Sequence, residues 1–202
     1  MKNTKLVKIE PNFISEEESK VLSNWTSSNY DQPYFMNPKM NNDKVQTRFT
    51  TRHAHHRISE YQDFKVKYPK EVYNIQKRIF KYLNLTLNDI IPFPAFTDGI
   101  VTTFGFSPGS CISHKDPIYY QNTYTLHCNF CTQTPESGGI TILEGKEYPF
   151  KYRDMIMYVA SHVEHEVSEC VGNTPRVLWI FGFCVSLEQM NNIFNIKSFT
   201  YS

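Results

Sequence analysis

The chain has 202 residues, a net charge of +1, 40% hydrophobic and 20% charged residues. That length suits one domain with a substantial core. The near-neutral balance excludes a polyelectrolyte argument for nucleic acid or a membrane surface as partner. Aromatic residues make up 15%, with 13 Tyr and 15 Phe, a content that suits a β-rich fold because rings pack well on pleated surfaces. The five cysteines (Cys111, Cys128, Cys131, Cys170, Cys184) are odd in number and scattered. With no signal-peptide pattern and no apolar run long enough to span a bilayer, a reducing, cytoplasmic compartment is the expectation.

In chain order, residues 5–14 read as a short strand entering a helix. Ser15 and Glu18 have capping-box spacing, and Ile14, Val21, Leu22 and Trp25 form an apolar stripe at helical intervals. Residues 27–68 are rich in Asn, Pro and Met, which argues against long regular elements. Within them, the run Arg48–Arg57 is basic and histidine-rich. It reads either as a solvated edge strand or as a lid in which Arg48 or Arg52 grips an anionic substrate group. A separate metal site at His53, His55 and His56 is disfavoured, since no acidic or cysteine partner lies nearby in sequence.

A second helix is predicted from Tyr68 to about Leu83, with Val72, Ile75, Ile79, Phe80 and Leu83 on one face and Pro69 in its first turn. Residues 84–94 form a loop, because Pro92 and Pro94 forbid helix there. From Gly99 to Val185 the chain becomes short β-rich runs punctuated by Gly and Pro. In such a strand the thiols of Cys128 and Cys131 face opposite ways, so two buried cysteines are expected there, not a redox or zinc pair. The tail from Leu187 is predicted to fold back as a short helix through Met190, Ile193 and Phe194.

Three separated pieces of the β-rich region carry chemistry. In Ser113-His114-Lys115-Asp116-Pro117, strand alternation would point His114 and Asp116 to one face. One imidazole and one carboxylate, closed by a distant histidine, make the two-histidine, one-carboxylate facial triad of a non-heme Fe(II) oxygenase. His162 and His165 are the candidates to close it. His165 is favoured because it shares a strand face with Val163 and Val167. Arg176 opens the last strong strand, and its guanidinium is a fork suited to one end of a dicarboxylate such as 2-oxoglutarate.

With Phe106-Ser107-Pro108-Gly109 before the His-x-Asp, this run resembles the 2-oxoglutarate/Fe(II)-dependent dioxygenase superfamily, most closely its prolyl-hydroxylase-like branch. The resemblance covers residues 100–185. It implies a mostly β (α+β) fold with a double-stranded β-helix, jelly-roll or cupin-like, at its core and helices flanking it on the N-terminal side. The expected division is a single domain, with helices and lid over 1–98, the core over 99–185 and a tail over 186–202. The resemblance further implies Fe(II) held by His114, Asp116 and His165, with 2-oxoglutarate and O2 as co-substrates. Arg176 would pair with the far carboxylate of 2-oxoglutarate, and the eleven residues from His165 to Arg176 match the gap usual in such proteins. His127 and Asn129 would be further 2-oxoglutarate contacts, and Tyr119 and Tyr120 would lie at the substrate rim.

Three positions depart from that pattern. His127 stands where the branch places a tyrosine, Phe106 stands where a phenol is common, and Val177-Leu178 lacks the hydroxyl often found two residues past the arginine. The activity implied is hydroxylation of an unactivated C–H in a small molecule, an amino acid or a peptide side chain. Asp116 favours this over halogenation. An AlkB-like nucleic-acid demethylase is the alternative within the fold, faintly echoed by Thr47-Arg48-Phe49-Thr50. It is disfavoured by the missing Asn-x-Tyr around Val101-Thr102-Thr103-Phe104 and by the lack of a second arginine near Arg176. A cupin-like metal-binding module without turnover is the alternative outside enzymes, although such a module has no use for a carboxylate fork.

Overall fold

The computed structural model describes residues 6–29, 35–36, 53–57, 67–91, 100–105, 109–148 and 151–196. Two long strands, β6 (Thr123–Gln133) and β13 (Arg176–Ser186), run antiparallel as the spine. On one side of them lie β10 (Met155–Val159) and then β1 (Val7–Glu10). On the other lie β4 (Ile100–Gly105), β3 (His53–Arg57) and β2 (Phe35–Met36). The sheet therefore reaches beyond residues 99–185, taking strands from the N-terminal part at both edges. A second sheet has the order β5 (Cys111–His114), β11 (His165–Val167), β8 (Thr141–Leu143), β9 (Lys146–Tyr148). The ribbon of β7 (Ser137–Gly138) and β12 (Cys170–Val171) stands beside it.

Alternation along the spine explains the layering. Directly paired residues of antiparallel strands share a face. Phe130, paired with Trp179, therefore shares a face with Cys128, paired with Phe181, and with Leu126, paired with Phe183. All six are buried. Two helices cover this apolar face: α1 (Glu16–Asn29) and α2 (Lys70–Leu83). The Trp179 indole donates to the Leu22 carbonyl of α1 at 3.3 Å, and its ring lies 5.5 Å from Trp25 and 5.8 Å from Tyr68. Phe80 of α2 meets Phe183 edge-on at 5.4 Å.

The predicted capping box starts α1, with the Ser15 amide donating to Glu18 Oε2 at 2.8 Å and the Glu18 amide to Ser15 Oγ at 3.1 Å. The face α1 buries is rotated from the expected stripe. Leu22 is joined by Ser19, Ser23 and Thr26, while Val21 and Trp25 are only partly buried. Two of these hydroxyls bond to the sheet: Ser23 Oγ donates to the Thr132 carbonyl, and Thr26 Oγ1 pairs with Thr102 Oγ1 at 3.0 Å. In α2, Pro69 is the N-cap, one position before the first helical turn, and Val72, Ile75 and Ile79 face inward. The tail helix α3 (Leu187–Phe194) buries Met190, Ile193 and Phe194 and is started by a Ser186–Gln189 capping box. All five cysteines are free and buried, with Cys128 and Cys131 on opposite faces of β6. Among the described residues no helix is long and apolar enough to cross a membrane.

Candidate metal centre

The pairing of β5 with β11 sets His114 directly opposite His165, so the two imidazoles share a face, with ring centroids 4.2 Å apart. Each ring is held by its own backbone. His114 Nδ1 lies 2.8 Å from the Ile112 carbonyl and His165 Nδ1 lies 3.0 Å from the Val163 carbonyl. A carbonyl can only accept, so Nδ1 carries the proton in both rings and both Nε2 atoms keep a lone pair for a metal.

Asp116 joins them by a different route from the one expected. Strand β5 stops at His114, so alternation does not aim the carboxylate. Instead the Asp116 amide donates to the Ala160 carbonyl at 3.0 Å, and the Ala160 amide donates to Thr125 at 2.7 Å, which ties the segment to the turn after β10. Asp116 Oδ1 then lies 3.7 Å from His114 Nε2 and 3.9 Å from His165 Nε2. Those separations are too long for hydrogen bonds and suit ligand atoms arranged around a common ion. One atom from each of the three residues lies within 4.8 Å of the others, so the trio could hold a metal. Two nitrogens and one oxygen, with positions left open, match the donor set of a non-heme Fe(II) oxygenase. His162 is elsewhere, stacked on Tyr124 at 4.8 Å with its Nδ1 2.9 Å from Ser161 Oγ.

The side of the spine turned away from the helices carries the remaining polar groups. His127 of β6 places Nε2 3.2 Å from Asp116 Oδ2. Burial holds this imidazole below the usual histidine range, against the opposing pull of the Asp116 carboxylate. Asn129 is buried. Its Nδ2 donates to the Tyr158 hydroxyl at 3.2 Å, while its Oδ1 has no partner. Tyr158 of β10 is paired across strands with His127. Burial, then the charge of Asp116, push its phenol far above the usual range, so it is a neutral hydrogen-bonding group.

At the start of β13, Arg176 is 2% exposed. One terminal guanidinium nitrogen donates to Thr141 Oγ1 at 3.0 Å, and Nε has no partner. No carboxylate of the described residues lies within ion-pair distance of it. A buried cation without a counter-charge is costly, so this one fits a site built to receive an anion. Gly139, at φ +62°, makes room for it, since a Cβ there would lie 3.0 Å from Arg176 Cδ and 2.8 Å from Pro135 Cγ. The hydroxyl beside Arg176 is that of Thr141, from the other sheet. Neither Thr141 nor Tyr158 is singled out by a motif, although a lone phenol inside the apolar run Met155–Val159 was a signal.

Tyr119 is partly buried and Tyr120 is 41% exposed, both in the segment following Asp116. His53, His55 and His56 lie in β3, paired through the backbone with β4. Arg48, Arg52 and Phe106 lie outside the described residues.

No family model matches the chain, and no curated protein matches it. Solved structures do. A viral collagen prolyl hydroxylase from Paramecium bursaria Chlorella virus-1, in complex with 2-oxoglutarate, superposes with a TM-score of 0.60 at 12% identity, over 92% of this chain and 98% of that one. A prolyl hydroxylase from Trichoplax adhaerens, bound to a peptide fragment of the hypoxia inducible factor oxygen degradation domain, gives 0.64 at 14% identity, over 98% and 89%. A Pseudomonas putida prolyl-4-hydroxylase gives 0.57 at 11%, over 91% and 94%. The chain therefore has the mostly β, double-stranded β-helix fold of the prolyl hydroxylases.

Proposed function

We propose that the protein is an Fe(II)- and 2-oxoglutarate-dependent dioxygenase that hydroxylates an unactivated C–H, with a peptide or amino-acid side chain as the favoured substrate class and a small molecule as the wider one. The observation that supports it is the pairing, within one fold, of a three-ligand cluster with a buried guanidinium that has no counter-charge among the described residues. A metal store or structural ion site would need the first and have no use for the second.

In this reading His114, Asp116 and His165 hold the iron, which with 2-oxoglutarate and O2 supplies the oxidising power for the C–H, with succinate and CO2 released. Arg176, steadied by Thr141, holds the far carboxylate of 2-oxoglutarate in a forked, charge-assisted contact. Asn129 and Tyr158 offer neutral hydrogen-bonding groups on the same inner face. Leu178, which pairs with Cys131 on that face, and Ile156, which pairs with Asn129, are buried and exclude water. Tyr119 and Tyr120, in the segment following Asp116, line the rim of the substrate site. The peptide preference follows the Trichoplax adhaerens neighbour, whose structure contains a peptide fragment. Five free, buried thiols suit a reducing, cytoplasmic setting.

The test is succinate formation from 2-oxoglutarate with Fe(II) in air, with and without proline-containing peptides, free amino acids and small-molecule pools. Mass spectrometry of each candidate should show the gain of one oxygen atom. Failure of the metal-loaded protein to bind 2-oxoglutarate, with no substrate-coupled succinate, would leave a metal-binding module as the function.

A further inference from the structure

We infer that His127 is a positioning residue for the metal centre: it donates from Nε2–H to Asp116 Oδ2 and so fixes which carboxylate oxygen faces the two ligand histidines. The inference rests on the reading of His114, Asp116 and His165 as metal ligands, and it moves His127 away from the 2-oxoglutarate contact expected from sequence.

The carboxylate of Asp116 has two unlike sides. Oδ1 faces His114 Nε2 at 3.7 Å and His165 Nε2 at 3.9 Å, nitrogens without protons at contact lengths that leave space for an ion. Oδ2 faces His127 Nε2 at 3.2 Å, an ion-pair separation at the long end of N–H···O lengths. A carboxylate left free could turn about its last torsion and present either oxygen, or both, to an ion. A donor on Oδ2 removes that freedom.

His127 does not belong to the ligand cluster. Its ring is 6.2 Å from that of His165, against 4.2 Å for His114, and it comes from the opposite sheet. The ring itself is constrained. It lies on the inner face of β6 opposite Tyr158 of β10, with centroids 5.7 Å apart, and opposite Gly182 of β13, which brings no side chain to that side. Its Nδ1 is buried without a partner, which suits a nitrogen bearing a lone pair and disfavours one bearing a proton. Both ends of the ring therefore point to the same tautomer, opposite to that of the two ligand histidines. A tyrosine at this position could also donate, but from a longer reach. With the histidine engaged by Asp116, the phenol available on the inner face is that of Tyr158, one strand over.

Two measurements test this. In protein labelled with nitrogen-15 at histidine, proton–nitrogen correlation spectra should show His127 as the Nε2–H tautomer, assigned by the signal lost in His127→Gln. The Nδ1–H tautomer would overturn the inference, and this readout needs no variant other than for assignment. Separately, Mn(II) affinity is measured by calorimetry for the wild type, His127→Gln and His127→Met, which are similar in length but differ in having a donor. Loss of an outer hydrogen bond to a ligand typically costs about 10- to 100-fold in metal affinity, so Met should weaken Mn(II) by that range and Gln should recover most of it.

Equal Mn(II) affinity in all three, with 2-oxoglutarate binding to the Mn(II)-loaded protein reduced in the variants, would make His127 a co-substrate contact and overturn the inference alone. Absence of Mn(II) binding by the wild type, or its persistence in His114→Ala, would overturn the metal-centre reading and this inference with it.

Discussion

The two faces of the large sheet are made by the same strands and built to opposite ends. Toward the helices, β6 and β13 present Leu126, Phe130, Trp179 and Phe181, with rings in edge contact and the Trp179 indole satisfied by a helix carbonyl. Away from the helices, β6 and β10 present His127, Asn129 and Tyr158, and β13 begins with Arg176. There, buried polar atoms on His127, Asn129 and Arg176 lack partners. Among the described residues, the helix side leaves two small hydroxyls unpaired, Ser19 Oγ and Thr132 Oγ1, whereas the inner side leaves an imidazole, an amide and a guanidinium. Unpartnered buried polar groups lower stability, so a face that keeps several of them is organised for something that arrives later.

Substitutions on the two faces should therefore separate function from stability. The largest effect is expected from His114→Ala and Asp116→Ala, each abolishing metal-dependent 2-oxoglutarate turnover while the thermal unfolding curve of the metal-free protein stays close to wild type. Trp179→Ala is the mirror case: it should cost about 3–5 kcal/mol of stability in denaturant titrations. The metal affinity of the molecules that remain folded should not change. Equal damage to both properties by either class would dissolve the distinction between faces.

Arg176→Met sharpens the contrast at one residue. Losing charge-assisted hydrogen bonds worth about 1.5–3 kcal/mol should raise the dissociation constant of 2-oxoglutarate by roughly 10- to 100-fold. Because a buried cation with no counter-charge among the described residues is replaced by an apolar chain of similar length, the thermal midpoint without ligand should hold or rise. A lower midpoint together with unchanged 2-oxoglutarate affinity would make Arg176 a structural residue.

Smaller effects belong to the helical layer. Ser15→Ala removes the cap of α1 and should cost about 1 kcal/mol with no effect on metal binding. At the alkaline end, burial, then the hydrogen bond to Glu10, raise the Tyr82 phenol to about 12. A folded-state value above the unfolded one means stability that is whole below the ordinary tyrosine value of about 10 and lost as pH rises toward 12. Tyr82→Phe should flatten stability across that window, measured by denaturant titration at each pH.

The sequence made some of this legible and hid the rest for identifiable reasons. The caps and apolar periods of α1, α2 and α3 depend on neighbours within a turn, so Ser15, Val72 and Met190 could be read in place. The face of α1 is rotated from its apolar stripe because Ser23 and Thr26 are drawn inward by hydroxyl bonds to Thr132 and Thr102, residues far along the chain. At the candidate centre, His114, Asp116, His165 and Arg176 could be selected by type and spacing. The route that brings Asp116 to the histidines could not, because it runs through the Ala160 carbonyl and not through strand alternation.

What the sequence determined by itself was the kind of fold and a short set of side chains, because periodicity, capping and the order of histidine, carboxylate and arginine are properties of a line. What only the tertiary structure decided was the neighbourhood of each: Thr141 beneath Arg176, Tyr158 beside Asn129, and His127 against the second oxygen of Asp116. The first two contacts join positions 35 and 29 residues apart, and the third joins β6 to the segment after β5; no local pattern encodes a distance that the register of a sheet sets.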